Sequence, residues 1–442
     1  MKKYVIGAGL WLLSLGWTTA QPTPSVMPLD QAVQRALQNN KSIKLADSRT
    51  LAAEARAQEA KDRSLPQANA SLAYSRYSLT GPFAFGQGSD GKALASIPAG
   101  AFNATIGGAT ITKEVFGGFA EKSAELSANL LAKASQLDAQ RNRSELVYTV
   151  TDAYYNIVKL IRSTSVIDQN IRQFDERERE AQNLQKEGVV TANEVLKIQL
   201  QRNNLQLSRL QVEKARQTAL YNFNLLIGLP DDQVITVDTT LANPVVTAEP
   251  LSNFLGQALQ SRPEVQANAL RVQSAEAMLR NTKSSMYPHL GVSAGYNYIN
   301  PTARLIPEGS SFISAWNVGA GLSYNIGSLY NMKGKLNTAK TAIDQASLQG
   351  QQQTDQIRSE VVTAYNNYQL ALEQQNVIRT AVGQAQENYR LTESRFRNGL
   401  VGSTDLLEAD SFLLQAQLNV INATVDAQLA YQRLLKATGH NL

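Results

Sequence analysis

The sequence predicts a mainly α-helical chain with a membrane β portion, built as a tandem repeat. Each copy is expected to carry a long coiled-coil helical hairpin and two of four β-strands. Three observations predict this. The two halves of the chain match one another. Each half holds a stretch of 69 residues without proline. Four segments alternate apolar with small or polar side chains.

The first residues read as a secretory leader, residues 1–20. Lys2 and Lys3 supply a basic start, an apolar run follows, and Thr18-Thr19-Ala20 forms a small-residue cleavage site before Gln21. The apolar run is shorter than the ~20 residues a spanning helix needs. No Cys follows, which excludes lipid attachment there. Mean hydropathy is −0.26, which rules out a bundle of membrane helices. The expected destinations are the periplasm, the exterior, or the outer membrane as strands. The net charge of +5 falls to roughly +3 without the leader, too mild for a nucleic-acid partner. With no Cys and only His289 and His440, the chain lacks the material for thiol chemistry or a His-rich metal site.

The repeat comes next, because overlooking one misassigns a fold. Leu29 to Tyr77 matches Leu251 to Ile299 at a constant offset of 222. A later block matches at offset 211: Ala153-Tyr154 falls on Ala364-Tyr365, Gly188 on Gly399 and Gly228 on Gly439. The organisation read from this is a first repeat over 21–228, a proline-bearing linker over 229–250 and a second repeat over 251–442. The change of offset puts the longer loop of the first copy between residues 78 and 115.

Proline is absent from 99–229 and from 308–442; within these runs, 119–187 also lacks glycine, and its repeat mate is 330–398. As continuous helices each would extend about 100 Å. Val150, Ala153, Ile157, Leu160, Thr164, Ile167, Ile171 and Phe174 are spaced alternately by three and four, as are their repeat mates from Val361 to Ala385. That is a heptad seam. Each long helix is expected to stop at glycine, Gly188 or Gly399, and a return helix to start at once. Thr191-Ala192-Asn193-Glu194 reads as a capping box, with Gly402-Ser403-Thr404-Asp405 as its counterpart.

The period-two segments supply the strands. Ala70, Leu72 and Tyr74 form the apolar row of the first, and Phe102, Ala104 and Ile106 that of the second. Leu290 to Tyr298 and Val318 to Tyr324 supply the third and fourth. Segments of about ten residues suit tilted membrane strands. Alternation alone favours a half-buried strand of a soluble sandwich, because the signal per strand is weak. Strands in lipid must close into a barrel, and known barrels have at least eight. One chain offers four, so several copies would have to share a barrel. Two would make eight strands around a filled lumen, three would make twelve.

The chain resembles the TolC-like outer-membrane efflux proteins (outer-membrane factors). The resemblance rests on "LDQAVQRALQNN" and its mate "LSNFLGQALQSRPEV", on "LPQANASLAYS" and "YPHLGVSAGYNY" leading into strands, on "FGGF", on "LYNFNLLIG", and on the hairpin tips "LQKEGVVTANEVL" and "FRNGLVGSTDLLEAD". The resemblance implies a homotrimer with a 12-stranded barrel in outer-membrane lipid above a periplasmic α-helical barrel. It also implies a passive exit path in a tripartite efflux or type I secretion system, docked to a periplasmic adaptor (membrane fusion) protein and an inner-membrane pump. A periplasmic coiled-coil scaffold without a pore is the competing reading. A carboxylate-pair hydrolase lacks a matching motif set, so no enzyme activity, cofactor or metal is expected.

Gly188, Val189, Val190, Gly399, Leu400 and Val401 are the candidate adaptor-contact tips, because apolar side chains exposed at a turn call for a cover. Turn chemistry alone would also place glycine and an apolar residue there. Glu194, Asp405 and Glu408 are the candidate periplasmic gate. In a trimer each would form a ring of three carboxylates, a device for cation preference. Acids in a first helical turn also serve the helix dipole. The resemblance implies a Tyr and an Arg that lock the closed state onto an acid. Phe396 and Val401 stand in their places, leaving Arg395, Arg397 and Lys197 as the nearby cations.

Overall fold

The computed structural model describes residues 26–87, 89, 93–97, 99–230, 233–240, 249–301 and 313–440. The expected leader 1–20, most of the segment between the third and fourth expected strands and part of the linker 229–250 lie outside the described residues.

In chain order the first half runs β1 (Val26–Met27), α1 (Leu29–Asn39), α2 (Lys41–Asp62), β2 (Gln67–Leu79), β3 (Phe83–Gln87), β4 (Ala93–Ile97), β5 (Gly100–Phe116), α3 (Ala120–Lys186) and α4 (Ala192–Ile227). The short β6 (Thr236–Val237) follows. The second half runs α5 (Leu251–Ser261), α6 (Pro263–Ser284), β7 (His289–Pro301), β8 (Ile313–Ser323), α7 (Ser328–Arg397) and α8 (Ser403–Ala437). Local chemistry sets the breaks. Asn40 starts α2 by accepting the Ser42 N–H at 2.8 Å. Pro263 opens α6, where its missing N–H costs nothing.

The two long helices span 67 and 70 residues, about 100 Å each at the α-helical rise. Their seams are the buried stripes the heptads anticipate. Val150, Ile157, Ile167 and Phe174 are buried on α3, and Val361, Ala364, Tyr368 and Ala371 on α7. The later α7 seam residues Gln375, Ile378, Val382 and Ala385 are half-buried between exposed neighbours.

The chain divides into two compact units, each drawing on both halves of the sequence. One takes the described residues up to Gln38, Thr149–Pro244 and Glu373–Leu429. In it, Phe174, Ala181, Val195, Ile198 and Leu205 pack together with Leu407 and Leu414 against them. Tyr154 pins β1 and β6 in the same unit: its hydroxyl donates to the Met27 carbonyl at 3.0 Å and accepts the Asp238 N–H at 2.9 Å.

The other unit holds Asn39–Tyr148, the described part of Val245–Leu372, and the chain from Ala430. Its helical core gathers Phe254 and Ala258 of α5, Ile357, Val361, Ala364 and Tyr368 of α7, and Leu434 and Ala437 of α8. Arg262, buried at the α5–α6 break, donates to Glu264 at 2.8 Å, to Glu360 at 2.7 Å and to the Ala437 carbonyl at 3.3 Å. Buried charges persist when paired and fully hydrogen-bonded.

The same unit holds a four-stranded antiparallel sheet in the order β2-β5-β7-β8. Leu72 pairs with Gly107, Ala109 with Tyr296, and Tyr296 with Trp316. Cross-strand partners share a face. One face therefore carries Leu72, Tyr74, Ile111, Val292, Tyr296, Trp316, Val318 and Leu322. All are exposed, Leu72 at 76% and Trp316 at 79%.

Two expectations about the strands are corrected. Ala104 and Ile106 pair with Ser75 and Ala73, so they lie on the opposite face from Leu72. The apolar face of β5 is instead Gly107, Ala109 and Ile111. With 17 residues and apolar side chains of both parities, β5 gives a two-residue rule nothing to choose by. The strands are also longer than ten residues, at 13, 17, 13 and 11. Within the longer loop of the first copy, β3 and β4 form an antiparallel pair of their own.

Candidate functional site

The candidate tips lie in the first unit. Each long helix ends in the same turn. Gly188 and Gly399 take φ of 75° and 72°, a conformation that favours glycine. Val189 N–H donates to the Leu184 carbonyl and Gly188 N–H to that of Gln185; Leu400 N–H donates to Arg395 and Gly399 N–H to Phe396. These paired bonds satisfy the last helical carbonyls, as in the Schellman motif. The turn throws Val189 and Leu400 into solvent, 67% and 73% exposed. Val190 and Val401 turn inward and line a cavity of about 900 Å3.

The return helices start differently from expectation. Thr191 precedes α4 but makes no side-chain cap bond, so the capping box does not form there. Glu194 turns to Lys197, which donates to it at 3.3 Å, and leaves its second oxygen buried without a partner. The counterpart on α8 does reach back: Asp405 accepts the Gly402 N–H at 3.3 Å. Lys197 also donates to the Thr404 hydroxyl at 3.0 Å, tying α4 to the first turn of α8. Asp405 and Glu408 are exposed on α8, and Glu194 is half-buried. Arg397 pairs with Glu393 at 3.2 Å. Phe396 and Val401 both line the cavity and supply apolar wall.

One turn of α8 deeper sits a network that sequence reasoning missed. Asp410, 2% exposed, accepts from Arg177 at 3.1 Å. Arg177 also donates to the Tyr389 hydroxyl, which donates to Glu393 at 3.3 Å. The guanidinium lies 5.0 Å from the Phe174 ring centroid and 5.3 Å from that of Tyr389. α3, α7 and α8 are thus held by one cation. Burial pushes the Asp410 carboxyl above its ordinary range, Arg177 pulls it back without cancelling the rise, and Glu393 adds to it. The second Asp410 oxygen is buried without a partner. The sequence carried a faint signal: Asp410 falls four residues after Leu406 and one after Ala409, an acid in a buried row.

The cavity joins these parts. Leu184, Val190, Ile198, Phe396, Val401 and Leu406 give apolar wall, with Glu194, Glu393, Arg177 and Arg397 among them. Among the described residues no cluster of His, Asp and Glu could hold a metal ion, and no helix is long and apolar enough to cross a membrane.

Comparison with known proteins identifies the class. The outer membrane efflux protein family model matches residues 32–229 and 254–440. The chain belongs to that family. The pyoverdine export outer membrane protein OpmQ of Pseudomonas aeruginosa is 25% identical over 429 residues, covering 93% of this chain and 85% of the relative. The solved structure of VceC from Vibrio cholerae superposes with a TM-score of 0.78 at 17% identity, over 93% of this chain and 96% of that one. The CmeC channel of Campylobacter jejuni gives 0.80 at 17% identity, over 99% and 94%. The chain is accordingly an outer membrane efflux protein, located in the outer membrane and extending into the periplasm.

Proposed function

We propose that three copies of this chain form a passive exit duct for a tripartite efflux system. The carrying observation is the incomplete sheet. Its edge strands β2 and β8 have no neighbour on their outer sides among the described residues, while one face exposes a continuous apolar surface. Hydrocarbon tolerates neither open edges nor irregular backbone, so pairing β8 of one copy with β2 of the next is the physical remedy. Three copies give twelve strands and a water-filled lumen lined by Asn69, Ser71, Ser293 and Asn317. The similarity to a pyoverdine exporter supports a small-molecule cargo over a secreted protein.

The tips are the periplasmic end of this duct. Gly188, Val189, Val190, Gly399, Leu400 and Val401 form the surface a periplasmic adaptor covers, and the adaptor links the duct to an inner-membrane pump. Exposed Val189 and Leu400 support that reading. Glu194, Asp405 and Glu408 form carboxylate rings that favour cations at the closed mouth. Lys197 takes the place of the missing Tyr and Arg lock, because it alone bridges α4 to the first turn of α8 among the described side chains. The test is single-channel recording in planar bilayers. Asp405→Ala combined with Glu408→Ala is expected to raise conductance or lower cation preference; unchanged currents remove the gate assignment.

A further inference from the structure

Four helix ends meet one end of the sheet. α2 ends just before β2 and α6 just before β7; α3 begins just after β5 and α7 just after β8. The antiparallel order puts all four junctions on the same side, where Gln67 pairs with Thr112 and His289 with Ser323. The two copies differ in charge there. In the first, Arg63 pairs with Glu59 at 2.8 Å and Lys113 with Glu121 at 3.5 Å. In the second, Asn281, Met332 and Leu336 stand at the repeat mates of Glu59, Glu121 and Glu125. Met332 is buried, so this position serves core packing and not charge.

The cations stayed. Arg280, Lys283, Lys333, Lys335 and Lys340 are all exposed, and none makes a side-chain ion pair or hydrogen bond among the described residues. No acid follows Glu276 in α6 or precedes Asp344 in α7. A second observation points the same way. Tyr287, Tyr324 and Tyr330 are exposed at the same junctions, Tyr330 at 75%, with Ile326 and Leu329 also exposed. Aromatic residues mark the water–lipid boundary, and long cationic side chains reach from an apolar stem to the headgroups.

We infer that these five cations and three tyrosines form a site for anionic phospholipid on the periplasm-facing leaflet. The inference rests on the reading that the sheet spans the membrane. A soluble anion would use the charges but leave the tyrosines and Ile326 bare; a phospholipid uses both. The second copy thereby grips the leaflet with five cations, where the first copy offers Lys61 and Lys122 beside its paired Arg63 and Lys113.

The test uses the full chain in phosphatidylcholine bilayers containing a minor fraction of phosphatidylglycerol. After extraction, the lipid retained by the protein is identified by mass spectrometry. Wild type is expected to enrich phosphatidylglycerol roughly threefold or more, since each cation near an anionic surface adds to the attraction. Combining Arg280→Gln, Lys283→Gln, Lys333→Gln, Lys335→Gln and Lys340→Gln removes the preference, and Lys333→Gln with Lys335→Gln alone reduces it. Lys41→Gln, Lys44→Gln and Arg49→Gln, far along α2, leave it intact. Equal enrichment in the fivefold variant, or none in wild type, overturns the site. So does loss of assembly with wild-type lipid preference in the remaining material, which would make the cations a contact between copies. Wild type that fails to enter bilayers would instead sink the membrane reading.

Discussion

At the scale of single residues, the Arg177–Asp410 pair carries the largest consequences. Removing one partner of a buried pair strands the other charge. Arg177→Met is therefore expected to cost about 3–5 kcal/mol, read as a fall in the unfolding midpoint of the detergent-solubilised protein. Its pH dependence has a definite sign. The Asp410 carboxyl titrates above its ordinary 3.8, so between 3.8 and the raised value the native state holds the proton that the unfolded chain has released. The contribution of this group to stability accordingly falls as pH rises through that window. The stability of wild type relative to Asp410→Asn should shrink as pH is raised across it; a constant difference would contradict the assignment. Lys197→Ala should raise basal conductance, because it cuts the tie from Glu194 to Thr404; unchanged conductance would leave the lock elsewhere. The turn residues Gly188 and Gly399 were legible in the sequence because glycine at a helix stop has one main conformational use. The Arg177 network was not, because its members lie on three helices far apart in the chain. The Thr191–Glu194 box was misread because a motif does not reveal that Lys197 competes for the same carboxylate.

At the scale of elements, the long helices were read nearly to the residue. Absence of proline and an unbroken three-four spacing leave few alternatives over such a length. The strands were read less well. β2, β7 and β8 alternate cleanly, but β5 has Ile106 and Ile111 on opposite faces, and pairing with two neighbours settles which one joins Leu72. Register now separates adjacent residues sharply. Val318 lies on the apolar face and Asn317 on the other. Val318→Arg should cost about 2–4 kcal/mol if it meets lipid near mid-depth, while Asn317→Arg should be tolerated and shift ion selectivity. Equal effects on folding yield in bilayers would contradict the face assignment. At the hairpin turns, a Cβ on Gly188 or Gly399 would meet nothing within 4 Å, so alanine there carries only backbone strain. The expected loss is ~1–2 kcal/mol, felt at the tip and not in the distant core. Protease sensitivity confined to residues near the substituted turn would report it.

At the scale of the whole molecule, the chain is unfinished in a specific way. Among the described residues, its helical cores are closed and its buried charges are mostly paired, yet its sheet ends in two edges without an outer neighbour and shows bare Leu72, Trp316 and Val318. Composition could not reveal this, because a strand facing lipid and a strand facing a soluble core alternate alike. The pairing order revealed it, by leaving β2 and β8 outermost. The most direct measurement is single-particle imaging of the full chain extracted in detergent. Three copies around one axis, with β8 of each hydrogen-bonded to β2 of the next, are expected. A monomer whose sheet closes on itself or stays open would contradict the account.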